Sequence, residues 1–210
     1  MKPAVKICGL TRPEDIEASI TAGASYLGFI VEAASKRRLS VSEAARLARP
    51  ATGIIPRVAV TVNASDDVLR SIMAEMAPDY IQCHGDESPE RVVEIGRVHK
   101  VKTIKAVAVS ADGDMTRAAN YSGVADLILY DAKPPKGSKV RGGHGVTIDW
   151  DIIARAPLPK RFMLAGGLTP ENAALAVKRS GAPILDVSSG VEASAGVKDP
   201  AKIKAFFDAL

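Results

Sequence analysis

A chain of 210 residues, 47% hydrophobic and 25% charged, is long enough to bury one sizeable core and lacks the low-hydrophobicity, high-charge signature of disorder. The net charge of +4 suits an anionic partner, but aromatics make up only 4% and no basic stripe is interleaved with them, so a small anionic molecule is expected rather than nucleic acid. The opening Met1-Lys2-Pro3-Ala4-Val5-Lys6 has no signal-peptide core, no apolar run is long enough to cross a bilayer, and Cys8 and Cys83 are too few for a disulfide framework, so the expectations are a cytoplasmic chain with free thiols and no membrane partner.

The first β-branched run covers residues 5–8 and ends at Gly9. Strand alternation places Lys6 and Cys8 on one side, inward if Val5 and Ile7 face helices. An inward lysine needs a counter-charge. Cys8 reads either as a small buried hydrophobe or as a thiolate favoured by that lysine. Thr11 to Glu14 has the spacing of a helix capping box, and Ser40 to Glu43 repeats it after a second strand at 26–30. Between them, Lys36-Arg37-Arg38 is either a solvated basic face or the holder of one substrate anion.

A third run covers 57–62, and a fourth, 80–83, ends in Gln82-Cys83-His84-Gly85. Here Gln82 and His84 are read as pocket lining. No second histidine or carboxylate is spaced to share a metal with His84, so no metal and no cofactor are expected. Ser88-Pro89 starts the next helix. A fifth run follows at 103–107. The sixth, 127–131, ends in Asp131, where Ala132-Lys133-Pro134-Pro135 begins no helix, so a catalytic or substrate-contacting carboxylate fits better than a cap. Residues 133–147, rich in Gly, Lys and Pro, read as an enlarged loop over the site, with Lys136, Lys139, Arg141 and His144 available to an anion.

The seventh and eighth runs, 162–165 and 184–187, end in Gly166-Gly167-Leu168 and Ser188-Ser189-Gly190. Glycines and hydroxyls at both ends let backbone amides approach a phosphate. Thr169-Pro170 and Asp199-Pro200 read as helix starts. Asp186, on the strand that would neighbour the first in a closed barrel, is the candidate counter-charge for Lys6.

Strand then helix, repeated without hairpin turns, implies right-handed crossovers and a parallel sheet. The unit count, the short length and a polar residue at nearly every strand end favour an α/β fold of the (β/α)8 TIM-barrel type over an open sheet, with residues 1–210 as one catalytic domain.

Taken in order, the strand-end segments resemble the phosphoribosylanthranilate isomerase family. They include Val5-Lys6-Ile7-Cys8-Gly9-Leu10-Thr11, Ser35-Lys36-Arg37, Gln82-Cys83-His84-Gly85, Asp131-Ala132-Lys133, Phe162-Met163-Leu164-Ala165-Gly166-Gly167-Leu168-Thr169-Pro170-Glu171-Asn172 and Asp186-Val187-Ser188-Ser189-Gly190-Val191-Glu192. The chain departs from the family's usual pattern at Ile30-Val31-Glu32-Ala33-Ala34 and at Cys83.

The resemblance implies a cofactor-free Amadori rearrangement of a small phosphorylated substrate, by a monomer or homodimer. Asp131 matches the family's general acid, Cys8 its general base and Arg37 the arginine that receives the anthranilate carboxylate. Lys6, Gln82, His84, Gly166, Gly167, Asp186, Ser188, Ser189 and Gly190 are expected to contact or surround the substrate. The competing expectations are a sugar-phosphate epimerase, an indole-glycerol-phosphate synthase and a non-catalytic phosphate-binding module. Poorly placed histidines weigh against the first, a missing lysine and glutamate network against the second, and Cys8 with Asp131 against the third.

Overall fold

The computed structural model describes residues 2–133 and 147–210. The β-branched runs become strands: β1 Ala4–Cys8, β2 Tyr26–Glu32, β3 Arg57–Thr61, β4 Tyr80–Cys83, β5 Lys102–Val109, β6 Leu127–Ala132, β7 Phe162–Leu164 and β8 Ile184–Val187. Each pairs in parallel with the next, and β1 with β8, in a closed barrel. The helices α1 Pro13–Thr21, α2 Val41–Ala48, α3 Asp66–Glu75, α4 Pro89–His99, α5 Asp112–Ala119, α6 Trp150–Arg155, α7 Ala173–Ser180 and α8 Pro200–Asp208 follow the strands in turn. This is the expected (β/α)8 TIM barrel.

Period-two alternation divides the apolar residues into two layers. Tyr26, Val58, Tyr80, Ile104, Leu129, Met163 and Ile184 fill the barrel interior, while Val5, Ile7, Leu27, Phe29 and Ile81 join the layer packed against the helices. Each fully buried side chain of this size contributes roughly 1.5–3 kcal/mol. At the N-terminal end, Tyr26 and Tyr80 meet edge to face at 5.8 Å and Arg161 donates to the Tyr26 hydroxyl. The interior at that end is therefore plugged, and open space remains at the strand C-termini.

Three helix starts form as expected. Ser40 and Glu43 make a reciprocal capping box, Ser88 accepts from the Arg91 amide, and Asp199 accepts from the Ala201 amide. Two do not. Arg12 caps α1 without a side-chain bond, because the Thr11 hydroxyl donates to the Gly196 carbonyl 185 residues away. Likewise α7 begins at Ala173 rather than beside Pro170, because Asn172 accepts from the Thr169 amide and donates to the Gly167 carbonyl. In both places a bond that shapes the mouth of the barrel displaces the local cap.

Past β8, a short antiparallel pair, β9 Glu192–Ser194 and β10 Val197–Lys198, adds an element that the alternation did not signal. Of the loop expected over the site, residues 134–146, with Lys136, Lys139, Arg141 and His144, lie outside the described residues. Among the described residues no helix is long and apolar enough to cross a membrane.

Candidate active site

A parallel barrel brings all its strand C-termini to one end, and there the chain forms a cavity of about 730 Å³, counting space open to solvent. Ten of the twelve expected site residues wall it: Cys8, Arg37, Gln82, His84, Asp131, Gly166, Gly167, Asp186, Ser188 and Ser189. Lys6 and Gly190 do not. Lys6 is wholly buried beneath the floor, and Gly190 lies in the turn behind the Ser188-Ser189 wall. On one side the lining is apolar, with Ile30, Ala33, Val60 and Val62, a surface the strand-end reading had not singled out.

Barrel closure sets Lys6 directly opposite Asp186, and its Nζ donates to the Asp186 carboxylate at 2.9 Å. The expected counter-charge is therefore Asp186. Burial works against the Lys6 ammonium, but Asp186 and Cys8 together outweigh it and hold the pKa above its ordinary value. Cys8 pairs in register with Gly28, where a Cβ would fall 2.9 Å from its Sγ and 3.1 Å from Lys6 Nζ, so only glycine leaves the thiol this position.

Lys6 acts on the Cys8 thiol in the expected direction, toward the thiolate, but it does not prevail. Burial pushes the thiol pKa up from its ordinary value, Lys6 pulls against that, and Asp186 adds to the rise, so the net shift is upward. Cys83 faces the outer layer and burial pushes its thiol up to about 12, in keeping with a structural role. Alkylation of Cys8 in the unliganded protein should therefore be slow at neutral pH and should keep accelerating beyond the ordinary thiol pKa of about 8.5. Peptide mapping after timed iodoacetamide exposure measures this, and rapid labelling at pH 7 would contradict the upward shift.

Arg37 is held rather than solvated. Its Nε and Nη2 donate to the two Glu192 carboxylate oxygens at 2.7 and 2.8 Å, leaving Nη1 without a bond among the described residues. Glu192 also accepts from Lys198 Nζ at 2.9 Å, and Lys198 Nζ donates to the Ser188 carbonyl at 3.1 Å. Burial raises the Glu192 pKa, but the bonds from Arg37 and Lys198 outweigh it and the net shift is downward, so Glu192 stays ionised. One network thus ties Arg37 to the turn after β8. Sequence reasoning gave no role to Glu192, the last residue of the family-like segment from Asp186, and did not single out Lys198, because both belong to the unsignalled β9 and β10 pair.

On the far side, Asp131 Oδ1 accepts from the Ala132 amide at 2.8 Å and Oδ2 lies 3.2 Å from His84 Nε2. His84 Nδ1 is 2.8 Å from Gln82 Nε2. Behind them, Lys105 Nζ donates to the Cys83 and Gly85 carbonyls and to Glu87, fixing the backbone on both sides of His84. No three of the described His, Cys, Asp and Glu side chains converge in a way that could hold a metal ion.

Comparison with known proteins identifies the family. The family model described as N-(5'phosphoribosyl)anthranilate (PRA) isomerase matches residues 5–209. The N-(5'-phosphoribosyl)anthranilate isomerase of Cereibacter sphaeroides is 47% identical over 205 residues, 98% of this chain and 97% of the relative. The crystal structure of phosphoribosyl anthranilate isomerase from Thermotoga maritima superposes with a TM-score of 0.86 at 36% identity, covering 99% of this chain and 98% of the other. Another such isomerase, solved in complex with reduced 1-(o-carboxyphenylamino)-1-deoxyribulose 5-phosphate, has a TM-score of 0.84 at 33% identity, covering 99% of this chain and 97% of the other.

Proposed function

The chain belongs to the N-(5'-phosphoribosyl)anthranilate isomerase family and catalyses the Amadori rearrangement of that substrate to 1-(2-carboxyphenylamino)-1-deoxyribulose 5-phosphate in tryptophan biosynthesis, and we propose that Asp131 is its general acid and Cys8 its general base. The supporting observation is that both side chains wall the same cavity, together with Arg37 and the two glycine and serine loops.

Asp131 gives a proton to the furanose ring oxygen, the C1′–O bond breaks, and the anthranilate nitrogen lone pair forms the C1′=N bond of a Schiff base. Cys8 then removes the C2′ proton, and the electron pair moves to C1′=C2′ as the C=N π electrons return to nitrogen. The resulting enolamine tautomerises to the ketone. No electron leaves the substrate, so the chemistry needs no redox cofactor.

Binding energy comes from the ends of the molecule. Backbone at Gly166-Gly167 and Ser188-Ser189 receives the phosphate, with Gly190 allowing the turn. Arg37 receives the anthranilate carboxylate, and the aromatic ring lies on Ile30, Ala33, Val60 and Val62. Gln82 and His84 shape the wall beside Asp131, while the Lys6 and Asp186 pair supports Cys8 from below. Residues 1–210 act as one catalytic domain, monomeric or homodimeric, in the cytoplasm, with a small phosphorylated metabolite as partner and neither nucleic acid nor membrane. Incubation of the purified protein with phosphoribosylanthranilate, with chelator present and no metal added, should yield the ribulose product by mass spectrometry. Activity that vanished with chelator and returned with a divalent ion would end the metal-free mechanism.

Arg37→Ala should raise KM by roughly ten- to a hundredfold, the equivalent of one or two charge-assisted hydrogen bonds, and change kcat much less. The pairing with the substrate carboxylate persists from ground state to transition state, so its loss is felt in both. Steady-state kinetics decides, and an unchanged KM would return Arg37 to a purely structural role with Glu192.

A further inference from the structure

The acid described above must hold a proton before it can deliver one, and the side chains behind Asp131 bear on whether it does. Gln82, His84 and Asp131 form a chain with contacts of 2.8 Å from Gln82 Nε2 to His84 Nδ1 and 3.2 Å from His84 Nε2 to Asp131 Oδ2. The other Asp131 oxygen is already used by the Ala132 amide. Gln82 Oε1 is buried and has no hydrogen-bond partner among the described residues.

Proton counting separates two states of this chain. An amide nitrogen only donates, so with Gln82 Nε2 on the ring, Nδ1 accepts, the single ring proton sits on Nε2, and Asp131 Oδ2 accepts it. The His84 and Asp131 pair then holds one proton, and the acid is spent. With two protons on the pair, Nδ1 carries a hydrogen wherever the shared proton lies, on Oδ2 or on Nε2, and Nδ1–H needs an acceptor. Turning the Gln82 amide by 180° supplies it and gives the orphaned Oε1 its partner. Either orientation leaves one amide atom unpaired, so the proton count on the pair can select between them.

We propose that Gln82 and His84 are positioning residues that load the acid: Gln82 presents Oε1 to His84 Nδ1–H, which leaves Nε2 as the acceptor for a proton held on Asp131. The proposal rests on Asp131 being the acid. The other ionisable groups around the cavity are engaged with partners of their own: Lys6 with Asp186, Arg37 and Lys198 with Glu192, and Lys105 with Glu87. Among the described residues Cys8, on the β1 side, is the remaining titratable group in the wall.

The test is 15N NMR of histidine-labelled enzyme through a pH titration, with His84 told apart from His99 and His144 by its loss in His84→Asn. In the wild type the two-proton state should show a protonated Nδ1. Gln82→Leu removes the acceptor and should lower the pH at which the pair takes up its second proton by about one unit, the equivalent of one hydrogen bond. Gln82→Glu supplies a permanent acceptor and should raise it, and kcat should follow the order Glu, Gln, Leu with KM within about twofold. If Leu at 82 does not fold, Met serves as the unbranched apolar variant. A titration that moves in the same direction in the two variants, or in neither, overturns the proposal. Wild-type kcat in Asp131→Asn would instead overturn the acid assignment on which it rests.

Discussion

Asp131→Asn should bind phosphoribosylanthranilate nearly as well as the wild type and convert it at least about a hundredfold more slowly, the lower end of what a positioned acid contributes. The amide has the shape of the carboxyl and can keep the contact with the Ala132 amide through its oxygen, but it has no acidic proton for the ring oxygen. Cys8→Ser should lose as much from the other half of the reaction. The hydroxyl fills the space beside Gly28, yet its pKa lies far above that of a thiol, and the C2′ proton would pass to a base that almost never exists in its charged form. Neither residue meets the phosphate loops or the Arg37 pocket in the proposed pose, so KM should stay within a few-fold. Purified, folded variants assayed for kcat and for substrate affinity decide between roles. Near-normal kcat in either variant removes that residue from the mechanism, and lost affinity at normal kcat recasts it as a binding group.

The barrel was legible because its signal is local. A β-branched run bounded by Gly, Pro or a cap residue specifies a strand without help from the rest of the chain, and β4 and β8 fall at the expected bounds. Where the expectation fell short, pairing had lengthened the strand. β5 continues to Val109 because β6 offers it partners as far as Ala132. The site was legible for a related reason. A parallel barrel converts scattered strand-end residues into one ring, so Cys8, Gln82, Asp131, Gly166 and Ser188 meet without any sequence proximity.

Interactions whose partners are fixed only by tertiary folding stayed out of sight. Arg37 and Glu192 are 155 residues apart, and nothing at either position announces the other. Thr11 spends its hydroxyl on Gly196 instead of on its own helix for the same reason. The balance at Cys8 stayed open in the sequence because Lys6, two residues away, is visible there, while the desolvation that outweighs its pull is a property of the closed barrel. Charge neighbours can be read from a strand, but the dielectric around them cannot.

Gly190→Ala should disable the phosphate side of the site. A Cβ at this position would stand 1.8 Å from the Leu168 carbonyl oxygen and 2.9 Å from its carbon, both backbone atoms that no rotamer change can remove. The turn after β8 is pressed backbone to backbone against the turn after β7, and the proposed phosphate cradle spans the two, so an alanine must prise its walls apart. Through Lys198, which holds the Ser188 carbonyl and Glu192 together, the same displacement reaches Arg37. The expected result is a KM at least about tenfold higher, equal to some 1.4 kcal/mol of lost binding, and a melting temperature lower by roughly 2–12 °C, as overpacking of 1–3 kcal/mol implies for a chain of this length. Gly113→Ala in α5, where an added Cβ meets nothing within 4 Å, is the control and should melt no lower than the wild type, since alanine is the better helix former. Thermal unfolding and steady-state kinetics on both variants provide the comparison. A Gly190→Ala protein with wild-type KM and melting temperature would mean that the two turns separate freely, and the cradle could not then depend on their contact.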